Sequence, residues 1–157
     1  MNAKQLRELI IRPTLKLLNL YSLASENLIL YTACQESNLT YLKQLGTGPA
    51  IGIYQMEPRT HDDIWRNYLG VNTTLATAVH ATNIPGMYEG EDAREMAGNL
   101  YYATAMCRIH YRRVKEPLPS ASDIKGLASY WKKYYNTHLG AGTPEEFIRN
   151  AKKYGDL

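Results

Sequence analysis

Glu36 has the strongest case for chemistry in this chain. It closes the most apolar helical stretch, Asn27 to Gln35, on the face that carries Ile29, Thr32 and Ala33 seven, four and three positions earlier. Apolar neighbours disfavour a carboxylate, and so does the negative end of a helix dipole. Both effects raise the pKa, which is what a general acid needs near neutral pH. Taken alone, the same residue reads as an exposed glutamate at a fraying helix end. Glu57, Asp62 and Asp63 follow downstream, and any of them could be a second carboxylate that positions water. The reading preferred here is that Glu57 faces solvent and the two aspartates serve a helix N-terminus.

The surroundings of Glu36 add an order of motifs. Glu36-Ser37 precedes Gly52-Ile53-Tyr54-Gln55, with Gln55 nineteen positions after Glu36, and then Met56-Glu57-Pro58-Arg59-Thr60. Gly98-Asn99-Leu100-Tyr101 and Tyr134-Tyr135-Asn136 come later, with Gly140 close behind. This series, from about Leu28 to Gly142, resembles the lysozyme-like soluble lytic transglycosylase family, and its bacteriophage members in particular. That family shows Glu-Ser, a Gly-Leu-Met-Gln element running into Pro-x-Thr, a Gly-x-x-Tyr helix and a Tyr-Asn-x-Gly element. Two departures are Glu57, at a place usually apolar, and Thr137-His138-Leu139, which separates Asn136 from Gly140.

The resemblance implies a peptidoglycan-degrading enzyme that cleaves the β-1,4 bond between N-acetylmuramic acid and N-acetylglucosamine and leaves a 1,6-anhydro sugar. Glu36 is then the single acid/base. Ser37 and Gln55 hold the glycan and the acid, Tyr135 steers the Glu36 carboxyl by a hydrogen bond, and Gly52, Tyr54, Tyr101 and Asn136 complete the substrate site. Gly52 would let the backbone approach a sugar closely. One alternative is a hydrolytic lysozyme using Glu57 or Asp62; another is a non-catalytic wall-binding or structural protein of the same fold. The implied partner is the glycan strand, met by a monomer without cofactor, in phage lysis or in a virion.

These residues need elements to position them, and nearly all the signals are helical. Leu6, Leu9 and Ile10 start an amphipathic segment that Pro13 should break or kink. Ser25 is the expected cap of the Asn27–Gln35 helix, and Thr60-His61-Asp62-Asp63 is expected to open another, closed by Gly70. Asn72 begins a short helix through Leu75 and Val79. Asp92 to Val114 carries the best stripe, through Met96, Leu100, Ala103, Cys107 and Tyr111, and reads as one helix. Ser122-Asp123 leads into Ile124 to Trp131, and Thr143-Pro144-Glu145-Glu146 is a full capping box with Pro at the first helical position. Only Ala50 to Met56 could form a very short β element. The expected fold is mainly α, an α+β lysozyme-like arrangement, as one compact helical domain over residues 1–157.

Composition narrows the classes. Eighteen basic against fifteen acidic residues leave +3, a mild surplus that suits an anionic polymer without demanding nucleic acid, and no nucleic-acid partner is expected. The run Arg108, Arg112, Arg113 and Lys115 reads as a solvated helix face or an aid in meeting anionic wall polymer. Lys4, Arg7, Glu8, Arg12 and Lys16 interrupt any apolar leader, so no signal peptide is expected. The protein is then made in the host cytoplasm and acts on the wall or in the periplasm. No stretch is apolar enough to span a membrane. The four histidines and two cysteines lack ligand spacing, so no metal site is expected; Cys34 and Cys107 read as buried thiols, with one bridge left open. Thirteen tyrosines against one phenylalanine give nearly every ring a polar handle, which suits either a sugar groove or a half-buried core rim.

Overall fold

The computed structural model describes residues Met1–Leu157. Its centre is α3 (Leu23–Ser37), in which every residue from Leu28 to Cys34 is buried. A helix apolar all round must be enclosed by others, and here these are the N-terminal helix, α7, α8 and α9. The start of α3 lies earlier than Ser25: Ser22 is the N-cap, and Ser25 returns the bond from the third helical position. The sequence offers two serines three apart, and the capping box uses both. Asn38 ends the helix in the left-handed conformation, φ 53°, with its N–H bonded to the Cys34 carbonyl.

The N-terminal segment runs as α1 (Ala3–Gln5), a π-helical stretch (Leu6–Ile11) and α2 (Arg12–Leu17). Pro13 therefore neither breaks nor ends it; the wider π turn precedes the proline. Proline has no N–H to offer the Leu9 carbonyl four positions back, and Tyr101 donates to that carbonyl at 3.3 Å. Arg7 and Arg12 both reach the fully buried Glu26 of α3, and Arg7 also pairs with Asp156 near the other end of the chain. Burial pushes Glu26 up, but hydrogen bonds from Arg12 and Arg7 outweigh it and hold the carboxyl below its ordinary range.

α4 (Pro58–Asn67) opens on Pro58, two residues before the expected Thr60, because a proline at the first helical position is already set for helix and has no N–H to leave unpaired. Asp62 and Asp63 consequently lie inside the helix rather than at its N-terminus. A 3-10 turn (Leu69–Val71) and α5 (Thr73–His80) follow. The expected single helix from Asp92 to Val114 is two, α6 (Glu95–Gly98) and α7 (Leu100–Arg112). Asn99 breaks it with an extended backbone. Its side-chain oxygen caps Tyr102 N–H at 3.0 Å while its amide donates to the Thr82 carbonyl and to Glu95. A short polar side chain that competes for backbone partners overrides the stripe.

α8 (Ile124–Trp131) begins at the Asp123 cap and continues as a π segment (Lys132–Asn136). α9 (Pro144–Tyr154) carries the expected capping box, Thr143 with Glu146. It lies along α3 and α8, and Phe147 sits between Tyr31 in an edge contact and Trp131 in a stack, 6.4 and 5.2 Å between ring centres. The fold is mainly α. No sheet forms at Ala50–Met56; isolated antiparallel bridges join Ile51 to Lys43 and to Met56. No helix is long and apolar enough to cross a membrane. Cys34 and Cys107 are both buried and free.

Candidate functional site

A cleft of 640 Å³ opens beside the C-terminal end of α3. Glu36 supplies one wall, the turn and helix start from Ala50 to Thr60 a second, α7 a third, and the π segment with its following loop the fourth.

Glu36 is partly buried, and Trp131 Nε1 donates to its Oε1 at 2.8 Å. Its other oxygen takes no protein hydrogen bond, and no cation neutralises it. Burial pushes the carboxyl up to about 7, against the opposing pull of the Trp131 bond. That leaves a comparable mixture of acid and carboxylate at neutral pH, as proton transfer in both directions requires. Trp131 is fully buried and braced by Phe147, so the donor that orients the carboxyl is fixed by α9.

The turn facing Glu36 is built on two positive-φ residues. Gly52 has φ +76°, and a Cβ there would stand 2.5 Å from the Met96 carbonyl oxygen. The glycine is thus required by α6 packing on the turn, and it is not among the residues that line the cleft. Gln55, at φ 49°, lies in the cleft and donates from Nε2 to the Gly52 carbonyl at 2.8 Å, which leaves its own oxygen available. Between them Tyr54 turns into the core, its hydroxyl on Thr104 at 2.9 Å.

Tyr135 and Asn136 line the opposite wall. The Tyr135 hydroxyl does not reach Glu36: it donates to the Tyr54 carbonyl at 2.7 Å and so ties the π segment to the turn. Its ring stacks on Tyr111 and meets His110 edge-on. Asn136 Oδ1 accepts from Lys132 Nζ at 2.7 Å, and the same ammonium holds the Gly140 carbonyl at 2.8 Å across the rim loop.

His110 and Arg113 complete the wall from α7. His110 Nε2 donates to the Tyr134 carbonyl at 3.0 Å, and its Nδ1 accepts from Arg113 at 3.2 Å. Burial, with Arg113 beside it, presses the imidazole down to about 3, so it stays neutral in one tautomer and is a poor proton donor. Arg113 is anchored on Asp63 at 2.7 Å.

Other expected site residues lie elsewhere. Ser37 is buried and donates to the Ala33 carbonyl within α3. Tyr101 is 45% exposed and bonded to Leu9. Asp62 accepts from His61 Nδ1 at 2.9 Å and faces a separate cavity of 420 Å³ with Trp65 and His80. Glu57 does line the Glu36 cleft, where it pairs with Arg59 at 2.9 Å.

Sequence reasoning passed over Trp131, His110 and Arg59 as site residues, and met Arg113 only as part of a basic run. Trp131 occupies an apolar position of α8 and reads as core. The spacing of three between His110 and Arg113 was the one available signal, since it puts both on one side of α7. No group of three or more His, Cys, Asp or Glu side chains is placed to hold a metal ion. Comparison with known protein families, curated proteins and solved structures finds no match. The arrangement can transfer a proton from one raised carboxyl to a ligand that Gln55, Asn136 and two arginines could orient.

Proposed function

We propose that this protein cleaves peptidoglycan glycan strands between N-acetylmuramic acid and N-acetylglucosamine, as a lytic transglycosylase. The observation that carries the reading is the Glu36 carboxyl, raised to about 7 on the wall of an open cleft and held through one oxygen only. The protonated acid gives its proton to the glycosidic oxygen as the C1–O bond breaks. The resulting carboxylate takes the proton of the muramyl 6-hydroxyl while that oxygen closes on C1. The acid is regenerated, the nucleophile comes from the substrate, and no water is consumed. Two-carboxylate glycosidases need a second group for the nucleophile or for water; this route does not. Gln55 and Asn136 are the candidate acetamide and hydroxyl partners, and Tyr135 is a positioning residue acting through the Tyr54 carbonyl.

Glu57, in the same cleft, favours hydrolysis as the second reading. Mass spectrometry of purified peptidoglycan treated with wild-type and Glu36→Gln protein separates the two. Fragments ending in 1,6-anhydromuramic acid, absent with the variant, are the expected result. Reducing-end fragments would transfer the protein to the hydrolases and make Glu57 the candidate for water activation. Absence of any product from folded wild-type protein would leave a wall-binding or structural role.

A further inference from the structure

Arg108 and Arg112 stand two residues either side of His110 on α7, so their side chains leave the helix away from the cleft. Arg108 is only 8% exposed. A guanidinium that deep in a protein is normally matched to a carboxylate, because an unpaired buried charge is costly. Arg108 has none. Its only protein hydrogen bond is a long one, 3.5 Å from Nε to the Leu20 carbonyl. No buried side-chain nitrogen in the molecule is left without a partner, so the two terminal nitrogens of Arg108 are the ones that reach solvent.

Among the titratable groups that act on it are Arg112, Tyr130, Cys107 and Tyr68, none of them a carboxylate. The nearest acid along the chain, Glu116, is occupied by Lys133 and Tyr134. Tyr130 donates its hydroxyl proton to the Glu116 carbonyl at 2.8 Å, whereas the Tyr68 hydroxyl makes no protein hydrogen bond. Arg112, one turn on and exposed, adds a second uncompensated guanidinium.

We propose that Arg108 and Arg112 form a binding site for a phosphate dianion, either free or as the terminal group of a phosphomonoester. The two open nitrogens of Arg108 match two oxygens of a tetrahedral anion, and the second guanidinium matches its second charge. A single carboxylate would offset only one of the two positive charges. The site is separate from the Glu36 cleft and does not rest on the glycan-cleaving reading.

The test is titration of ¹⁵N-labelled protein with inorganic phosphate at constant ionic strength, with chloride and acetate as controls. A saturable shift of α7 amides with phosphate, well beyond that with either control, is expected. Arg108→Met, which keeps the apolar stem, and Arg112→Gln should each weaken it about tenfold or more, the usual cost of losing charge-assisted bonds. Should Arg108→Met not fold, the surface variant Arg112→Gln decides alone. Glycerol 3-phosphate in place of phosphate assigns the source: tighter binding indicates an ester, equal or weaker binding the free ion. No saturable response beyond chloride, or one unchanged in the folded variants, would overturn the site.

Discussion

Replacing Glu36 by Gln should stabilise the protein, and by an amount that depends on pH. A carboxyl held at about 7 against an ordinary 4.5 makes the folded state weaker by up to about 3 kcal/mol once ionised. The sign follows from proton binding. Between about pH 4.5 and 7 the folded protein holds a proton that the unfolded chain has released, so stability falls as pH rises through that window. Below it both states are protonated and nothing is lost; above it the full cost applies. Glutamine carries no titration, and its side-chain oxygen still accepts the Trp131 bond. For a domain of this size about 3 kcal/mol corresponds to roughly 6–12 °C in Tm. The difference in Tm, variant minus wild type, should therefore widen by that order between pH 4.5 and pH 8.5, and the proposed function adds that the variant does not cleave peptidoglycan. Differential scanning calorimetry in matched buffers measures it. A difference that stays constant across the range would refute the raised carboxyl, and with it the acid assigned to Glu36.

Trp131→Phe keeps the stack on Phe147 and removes the one hydrogen bond that lowers the Glu36 pKa, so the alkaline limb of the pH–activity profile should move upward while the rate falls. Gly52→Ala meets both a positive φ and the Met96 carbonyl, and should cost about 1–3 kcal/mol, read by urea denaturation. Glu26→Gln leaves Arg7 and Arg12 without their shared anion, and should cost about 3–5 kcal/mol at neutral pH. The depressed Glu26 carboxyl gives stability that is present above its ordinary pKa and lost as pH falls, so the variant should show a shallower loss in acid.

Glu36 was legible because helix position and apolar spacing are local properties, and local properties are what a sequence displays. The capping box at Thr143 was legible for the same reason. The break at Asn99 was not, since the stripe through Met96 and Leu100 continues across it, and only the Thr82 carbonyl and Glu95 make the bent form preferable. Gly52 is legible as a special position, but the α6 backbone that crowds it is more than forty residues away and is not. Tyr101 and Tyr102 show the limit most simply: adjacent in sequence, one binds Leu9 near the surface and the other is buried against His61 and Trp65. Neither lines the Glu36 cleft.

The bond from Trp131 to Glu36 joins residues 95 positions apart, and Phe147 must dock before the indole is braced. A nascent chain emerging from the ribosome holds α3 long before it holds α8 and α9. Until α8 and α9 are released and close over α3, Glu36 sits on an incomplete surface, hydrated and an ordinary carboxylic acid. The raised proton affinity of Glu36 is thus a property of the closed tertiary structure, acquired only when α8 and α9 have docked.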